Sequence, residues 1–234
     1  MTPKRQVAVM IGGFSALGIG VSIGIIALGG GFSGTGGNLF NPPTDSDIYV
    51  VGAQVEDGAE FVYTLTGMGP STSLVNADVT IAFDRQEDSW RTSFAIVNGT
   101  GTRSDFDMML SSQLTKEGQV DAQVRPFLEP VESSILAIRD MTYEAADKYL
   151  VVGAPWNTIF YSSSSTIVRI TAQEAVQTPA GTFDAFVLSY KLGEKTSIIW
   201  VVKNLPFPVK AEVYDPGDKL LYQYELVGLG RVVS

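Results

Sequence analysis

The chain contains neither cysteine nor histidine among its 234 residues. Without cysteine there is no disulfide framework, no thiol nucleophile and no thiolate-held zinc or iron–sulfur cluster. Without histidine there is no Ser-His-Asp triad and no imidazole-ligated metal. Charge is also scarce, at 18% of residues against 45% hydrophobic. Catalysis would have to run on carboxylate, lysine, tyrosine or serine chemistry. The spacing singles out no pair of carboxylates and no Ser–Lys pair, so the expectation is a non-enzymatic chain with no cofactor and no metal.

Positive charge is the scarcer sign, and it is unevenly placed. The first 30 residues hold Lys4 and Arg5 and no acid, so of the chain's 16 bases 14 remain against 25 acids beyond them, a charge of −11. An anionic body repels phosphate backbones, because nucleic-acid affinity depends on Lys and Arg displacing condensed counterions. Nucleic acid is therefore excluded as a partner, and the acids read as a solvated surface.

No ionisable side chain stands between Arg5 and Asp45. At about 1.5 Å rise per residue, an apolar helix over residues 7–28 spans a hydrocarbon core of about 30 Å. The expectation is a membrane anchor over residues 1–29, with Lys4 and Arg5 on the cytoplasmic side and everything beyond it outside the cell membrane. A cleaved signal peptide ending near Ala27-Leu28-Gly29 is the alternative, against which stands an apolar run longer than the roughly 7–15 residues usual for that signal. Gly12, Ala16, Gly20 and Gly24 recur every four residues. They form a stripe on which a second helix could pack closely, or simply reflect the Gly and Ala content of membrane helices. Residues 30–47, rich in Gly, Ser, Thr and Pro, read as a flexible linker.

Residues 48–234 have the length of one domain. Ile48 to Val55, Glu60 to Thr66, Asp78 to Phe83, Trp90 to Val97 and Phe106 to Gln113 are short runs bounded by turn signals, with Asp57-Gly58 and Asn98-Gly99 as hairpin turns. Within Asp78 to Phe83 the apolar Val79, Ile81 and Phe83 alternate with their neighbours, the mark of an antiparallel sheet with one buried face. From Glu129 to Val152 the spacing of Val131, Ile135 and Ile138 predicts one or two helices, with Pro130 in a first turn and Glu144 placed to pair with Lys148. Strands then return over Ile159 to Ser162, Thr166 to Thr171, Phe183 to Leu192, Thr196 to Val202, Val209 to Tyr214 and Leu220 to Val227. The fold class is mainly β, of the α+β kind: a curved antiparallel sheet or half-barrel with a helical insert.

Three segments carry a family pattern. They are Leu150-x-Val152-Gly153-x-x-Trp156; Ala172-x-Glu174-x-Val176-x-Thr178-Pro179-Ala180-Gly181-Thr182-Phe183-Asp184-Ala185; and Trp200 with Leu205-Pro206-x-Pro208-Val209-Lys210-x-Glu212 and Tyr224-Glu225-Leu226. Over roughly residues 148–228 this resembles the carboxyl half of LolA-like lipoprotein-carrier domains and related periplasmic β proteins. The resemblance implies a half-open barrel plugged by helices, an acyl chain sheltered on the apolar concave face, and no catalytic residues. The chain departs from the soluble carriers in its membrane segment and in lacking a lipobox cysteine.

On that pattern the candidate ligand-lining residues are Trp156, Phe183, Phe186, Trp200, Leu205 and Phe207, which also suit a plain hydrophobic core. Pro206 and Pro208 deny strand pairing to the loop carrying Leu205 and Phe207, which either gates a hydrophobic mouth or packs under its own strands. Asn98-Gly99-Thr100 fits the N-glycosylation acceptor and equally a turn. Ser162 to Ser165 is a polar loop or a sugar-attachment tract. Asp45 with Asp47, Asp84 with Glu87 and Asp88, and Asp105 with Asp107 offer oxygen ligands for a hard cation but lack EF-hand spacing, and read as solvated turns. Two functions follow as expectations: a tethered, outward-facing module binding an apolar or lipid-like ligand, or a structural or interaction subunit of a cell-envelope assembly with a protein partner.

Overall fold

Alternation of apolar and polar residues runs through the described chain with few interruptions, and strands form wherever it does. In Ser89–Asn98 the side chains of Trp90, Thr92, Phe94 and Ile96 are buried and those between them more exposed, the period of two that a half-buried strand requires. The computed structural model describes residues 47–68, 74–142, 148–161 and 164–231. All of them belong to one compact unit, Pro43–Ser234. The anchor expected over residues 7–28 and the linker, save Asp47, lie outside the described residues. Among the described residues no helix is long and apolar enough to cross a membrane.

Among the described residues thirteen strands and two helices follow one another as β1 (Ile48–Tyr49), β2 (Ala59–Met68), β3 (Leu74–Gln86), β4 (Ser89–Asn98), β5 (Arg103–Ser111), β6 (Lys116–Glu117), α1 (Arg125–Glu132), α2 (Ala137–Thr142), β7 (Lys148–Tyr149), β8 (Pro155–Tyr161), β9 (Ser164–Thr178), β10 (Gly181–Lys191), β11 (Thr196–Val201), β12 (Lys210–Tyr214) and β13 (Leu220–Arg231). Eleven of the strands form one antiparallel sheet in the order β6-β5-β4-β3-β2-β13-β12-β11-β10-β9-β8. It is two meanders laid side by side, joined where β2 pairs with β13.

This order makes β6 and β8 the opposite edges of the sheet, yet the chain passes from one to the other through α1, α2 and β7. Eleven flat strands at about 4.8 Å spacing would set those edges about 48 Å apart. Yet buried residues of the connection share one core with strands of both halves of the sheet, Phe83 and Leu110 on one side and Ile170 and Leu188 on the other. The sheet therefore curls, and the helical connection runs over its inner face. Leu128 and Val131 of α1, Ile135 and Leu136 beyond it, and Ile138 of α2 join one continuous core with Tyr63, Val79, Ile81, Phe83, Leu110 and Leu226 of the strands. The helices are too short to hold themselves, so this apolar contact is what keeps them folded.

Several local expectations need correction. The first strand stops at Tyr49 because the chain turns at Gly52, whose φ of +85° is a left-handed conformation, and Ala53 and Val55 donate back to Val50 and Gly52. Asp57-Gly58 does turn the chain into β2, but it closes no hairpin, since β1 pairs with β7 instead. At the β4–β5 hairpin the positive φ falls on Gly101 and not on Gly99. The first helix opens at Arg125 with Pro126 in its first turn, which places Pro130 inside it. The helical insert ends before Lys148, which lies in β7, so no helix carries Lys148 as the partner of Glu144, itself outside the described residues.

Candidate functional site

The inner face is built from aromatic side chains that the strand period places on one side. Phe61, Tyr63 and Leu65 of β2 point inward with Val79, Ile81 and Phe83 of β3, all at most 2% exposed. Into this row reaches Phe207, from the loop between β11 and β12. Its ring stands edge-on to Phe61 at 5.9 Å and stacks on Phe83 at 6.0 Å, and it is 0% exposed. The two prolines explain how the loop can enter: with no N–H at positions 206 and 208, only carbonyls remain to be satisfied. Two inward tyrosines supply the donors. Tyr49 Oη donates to the carbonyls of Leu205 (3.2 Å) and Pro206 (3.1 Å), and Tyr63 Oη to that of Pro208 (3.2 Å). The loop thus packs inward, pinned from both sides.

Burial raises the phenol pKa of Tyr49, and it raises that of Tyr63 with a further push from Tyr49. Tyr224 and Tyr222 are raised for the same reason, and Tyr190 is pushed up to about 12. These hydroxyls are neutral hydrogen-bonding groups on an apolar face and not proton carriers at neutral pH.

The six predicted lining residues divide in two. Trp156 and Phe207 lie in the packed core, and Trp156 meets the ring of Tyr49 at 5.5 Å. Phe183, Phe186, Trp200 and Leu205 are only partly buried, resting against that core. By register Trp200 lies opposite Val187, on the face away from the pair Phe186 and Val201. Its indole Nε1 donates to Glu174 Oε1 at 2.8 Å, and Lys210 Nζ sits 5.9 Å over its ring. The set therefore does not converge on one place. Among the described residues Gln54 Oε1, Thr92 Oγ1 and Trp156 Nε1 are buried with no hydrogen-bond partner, an omission that costs about 1–3 kcal/mol each.

A charged latch holds the helices to the sheet edge. Glu132 of α1 takes Lys116 of β6 at 3.3 Å and Arg139 of α2 at 3.4 Å, and Arg139 also donates to the Leu114 carbonyl. Arg139 and Glu132 are 13% and 24% exposed, so solvent screens this pair less than a surface one. At its outer end the Asp140 carboxyl is shifted upward by desolvation, against the opposing pull of Arg139.

Among the described residues the outer face carries grooves, two of which adjoin. The larger, about 530 Å³, runs across β12, β13, β2 and β3, where the register sets Lys210, Glu225, Thr64 and Asp78 in one row and Glu212, Gln223, Thr66 and Asn76 in the next. The second, about 320 Å³, adjoins it through Asp78 and Val97. Both mix hydroxyls, amides and carboxylates with apolar surface from side chains such as Ala77, Val97 and Phe106. Lys210 pairs loosely with Glu225 at 3.9 Å, and Tyr214 donates to Glu212.

Of the remaining candidates, Asn98 uses its side-chain oxygen inside its own turn, accepting from the N–H groups of Thr100 (3.1 Å) and Thr102 (2.9 Å). Asp105 and Asp107 are held by Arg103 and Arg91, and both carboxyl pKa values are lowered, by Arg103 for Asp105 and by Ser93 with Arg91 for Asp107. Asp84 accepts from Gln86. Among the described residues no three potential metal ligands converge. Gly12, Ala16, Gly20 and Gly24 lie outside the described residues, as do Asp45, Ser162 and Ser163. Sequence reasoning missed Tyr49 and Tyr63 as the loop's anchors and Glu132 with Arg139 as the latch; the only signal was the alternation that places Tyr63 between Phe61 and Leu65.

No family model matches the chain, and no curated protein matches it. Solved structures similar to it include an assumed lipoprotein of Parabacteroides distasonis, at 14% identity and a TM-score of 0.41, over 78% of this chain and 99% of that one. An assumed exported protein of Bacteroides fragilis with a YmcC-like fold is 11% identical at a TM-score of 0.35, over 79% and 99%. A chain of the MucA/MucB complex of Pseudomonas aeruginosa is 11% identical at a TM-score of 0.40, over 79% and 55%.

Proposed function

We propose that residues 48–234 form an outward-facing, non-catalytic domain, tethered to the cell membrane by residues 7–28, that works by docking other proteins of the envelope on its sheet surface. The observation that carries this reading is the occupied inner face. Where the family resemblance implies a sheltered acyl chain, Phe207 sits 0% exposed among Phe61 and Phe83 on a loop tied down by Tyr49 and Tyr63. A domain filled by its own side chains has its exterior left to work with, and that exterior carries grooves of mixed polar and apolar lining. Outward placement rests on Lys4 and Arg5 preceding a long uncharged run, and on the acidic body that follows.

The test is photo-crosslinking in intact cells, with the reactive group at Thr66 in the larger groove. A discrete protein adduct supports docking; adducts with lipid alone refute it. Protease added to sealed cells checks the placement, since an outward domain is degraded and an inward one is spared.

A second reading, an apolar ligand held on the inner face, is favoured by one observation. The buried Trp156 indole has no acceptor, with Phe186 and Leu205 keeping apolar surface beside the core. A ligand bearing a carbonyl or carboxylate above an acyl chain would satisfy that donor once the short helices moved aside. Lipid extraction and mass spectrometry of the purified full chain separates the two readings: bound lipid at one per chain supports the ligand, and its absence supports docking.

A further inference from the structure

An open sheet has two edges, and each presents unpaired backbone donors and acceptors to any strand that arrives. One edge of this sheet is blunted. β6 has only two residues, Lys116 and Glu117, both charged and exposed, and the chain leaves it at Gly118 with φ +90°. The other edge is not. β8 runs for seven residues, pairs with β9 on one side, and has no strand on the other among the described residues. Between Lys148 and Arg169 the sequence has no Lys, Arg, Asp or Glu. The edge also exposes apolar surface: Phe160 is 78% exposed and Ile167, on the adjoining strand, 46%. The register places Thr158 beside Ile167 and Phe160 beside Ser165, so these side chains share the outer face.

The backbone of the edge is set for pairing. Thr158 N–H is taken up by the neighbouring Asn157 Oδ1 at 2.6 Å, a local substitute for an absent strand. Since successive residues alternate direction, the N–H and C=O of Phe160 face the same way as those of Thr158. The Asn157 side-chain oxygen holds the place that an incoming carbonyl would take.

We propose that β8 is a homotypic docking strand, pairing antiparallel with β8 of a second copy of this chain about a two-fold axis at Ile159. Charge selects the occupant. Beyond residue 30 each copy carries −11 and repels another copy over most of its surface; a strand with no charge is where two such bodies meet without opposing like charges. In this register Thr158 of each copy faces Phe160 of the other and exchanges both backbone bonds with it. Ile159 faces itself across the axis, and Phe160 lies over Thr158 of the second copy, toward that copy's Ile167. The contact is isologous and closes as a dimer. It names one partner for the docking reading above, and it stands or falls apart from the direction in which the domain faces.

The full chain, purified in detergent, tests this. With no cysteine of its own, Ile159→Cys introduces a single thiol at the axis, where a non-hydrogen-bonded antiparallel pair sets Cα atoms about 4.5 Å apart, inside the roughly 4.4–6.8 Å that a disulfide needs. The expected results are a dimer by light scattering and a covalent dimer of Ile159→Cys on mild oxidation. Thr102→Cys, on an exposed hairpin loop, should give none. Phe160→Glu should weaken the dimer by more than about tenfold with an unchanged circular dichroism spectrum, while Gly20→Leu leaves it intact. A monomeric chain overturns the proposal, as does a dimer that survives Phe160→Glu or is lost in Gly20→Leu, since the membrane segment would then be what associates. Ile159→Cys captured in cells by a different protein overturns the homotypic pairing and leaves the docking reading standing.

Discussion

Replacing Phe207 by alanine removes the plug of the inner face and little else. Its ring is 0% exposed and touches Phe61 and Phe83 at centroid distances of 5.9 and 6.0 Å, so the neighbours on both sides lose contacts that strands cannot close up to restore. Phe-to-Ala changes at such sites cost about 3–5 kcal/mol, against a whole-domain stability of about 5–15 kcal/mol. At roughly 2–4 °C per kcal/mol for a domain of this size, the midpoint of thermal unfolding should fall by roughly 6–20 °C. Leu205→Ala, on the same loop but only partly buried, should cost less than about 2 kcal/mol. Tyr49→Phe, which keeps the ring and deletes the hydroxyl bonded to Leu205 and Pro206, should cost about 1 kcal/mol. The assay is urea and thermal unfolding of the three variants beside the parent, followed by far-ultraviolet circular dichroism. Phe207→Ala within about 1 kcal/mol of the parent would refute the reasoning, because the loop would then contribute nothing to the closure of the core.

Further outcomes follow from the same geometry. The phenols of Tyr63, Tyr190, Tyr222 and Tyr224 titrate higher in the folded chain than the ordinary 10.0; the stability they contribute is complete below pH about 10 and is lost as pH rises through the folded values. Phenolate absorbance from them should appear in the same step as loss of the circular dichroism signal, and their ionisation in a still-folded chain would contradict this. Gly52→Ala should destabilise by roughly 1–3 kcal/mol, since a Cβ there stands 2.1 Å from the Ser112 carbonyl oxygen at φ +85°; chemical denaturation measures it. Arg139→Met should raise amide hydrogen exchange in α1 and α2 while leaving β2 and β13 protected, because Arg139 ties those helices to Glu132 and the Leu114 carbonyl; uniform acceleration across the sheet would argue against a local latch.

Strand positions were legible because alternation survives in the sequence: Val79, Ile81 and Phe83 read as one face, and they are one. Strand lengths were not, since β3 continues through Gln86 and β9 through Thr178 on polar residues that only the ladder of a neighbour holds extended. The pairing of Ile48–Tyr49 with Lys148–Tyr149 joins segments a hundred residues apart and leaves no local trace. The helical insert was legible from Val131, Ile135 and Ile138, but its start was misread because two prolines fit a first turn and only packing chooses Pro126 over Pro130. Of the candidate site, the apolar character of Trp156 and Phe207 was legible. That Phe207 comes from a loop folded inward, held by tyrosines from two different strands, depends on the curl of the sheet, which no single segment encodes.

Trp90 and Trp156 both lie on the inner face at 3% and 1% exposure, whereas Trp200 is only partly buried. In Trp200→Phe the remaining indole emission therefore reports the interior alone. The direct measurement is titration of that variant, as the full chain in detergent, with fatty acids brominated along the acyl chain. A face closed by Phe207 and its pinned loop predicts emission unchanged beyond the weak, non-saturating loss expected of buried indoles. Saturable quenching at one acyl chain per protein would show that the inner face opens to a ligand and would contradict a domain that works by its surface.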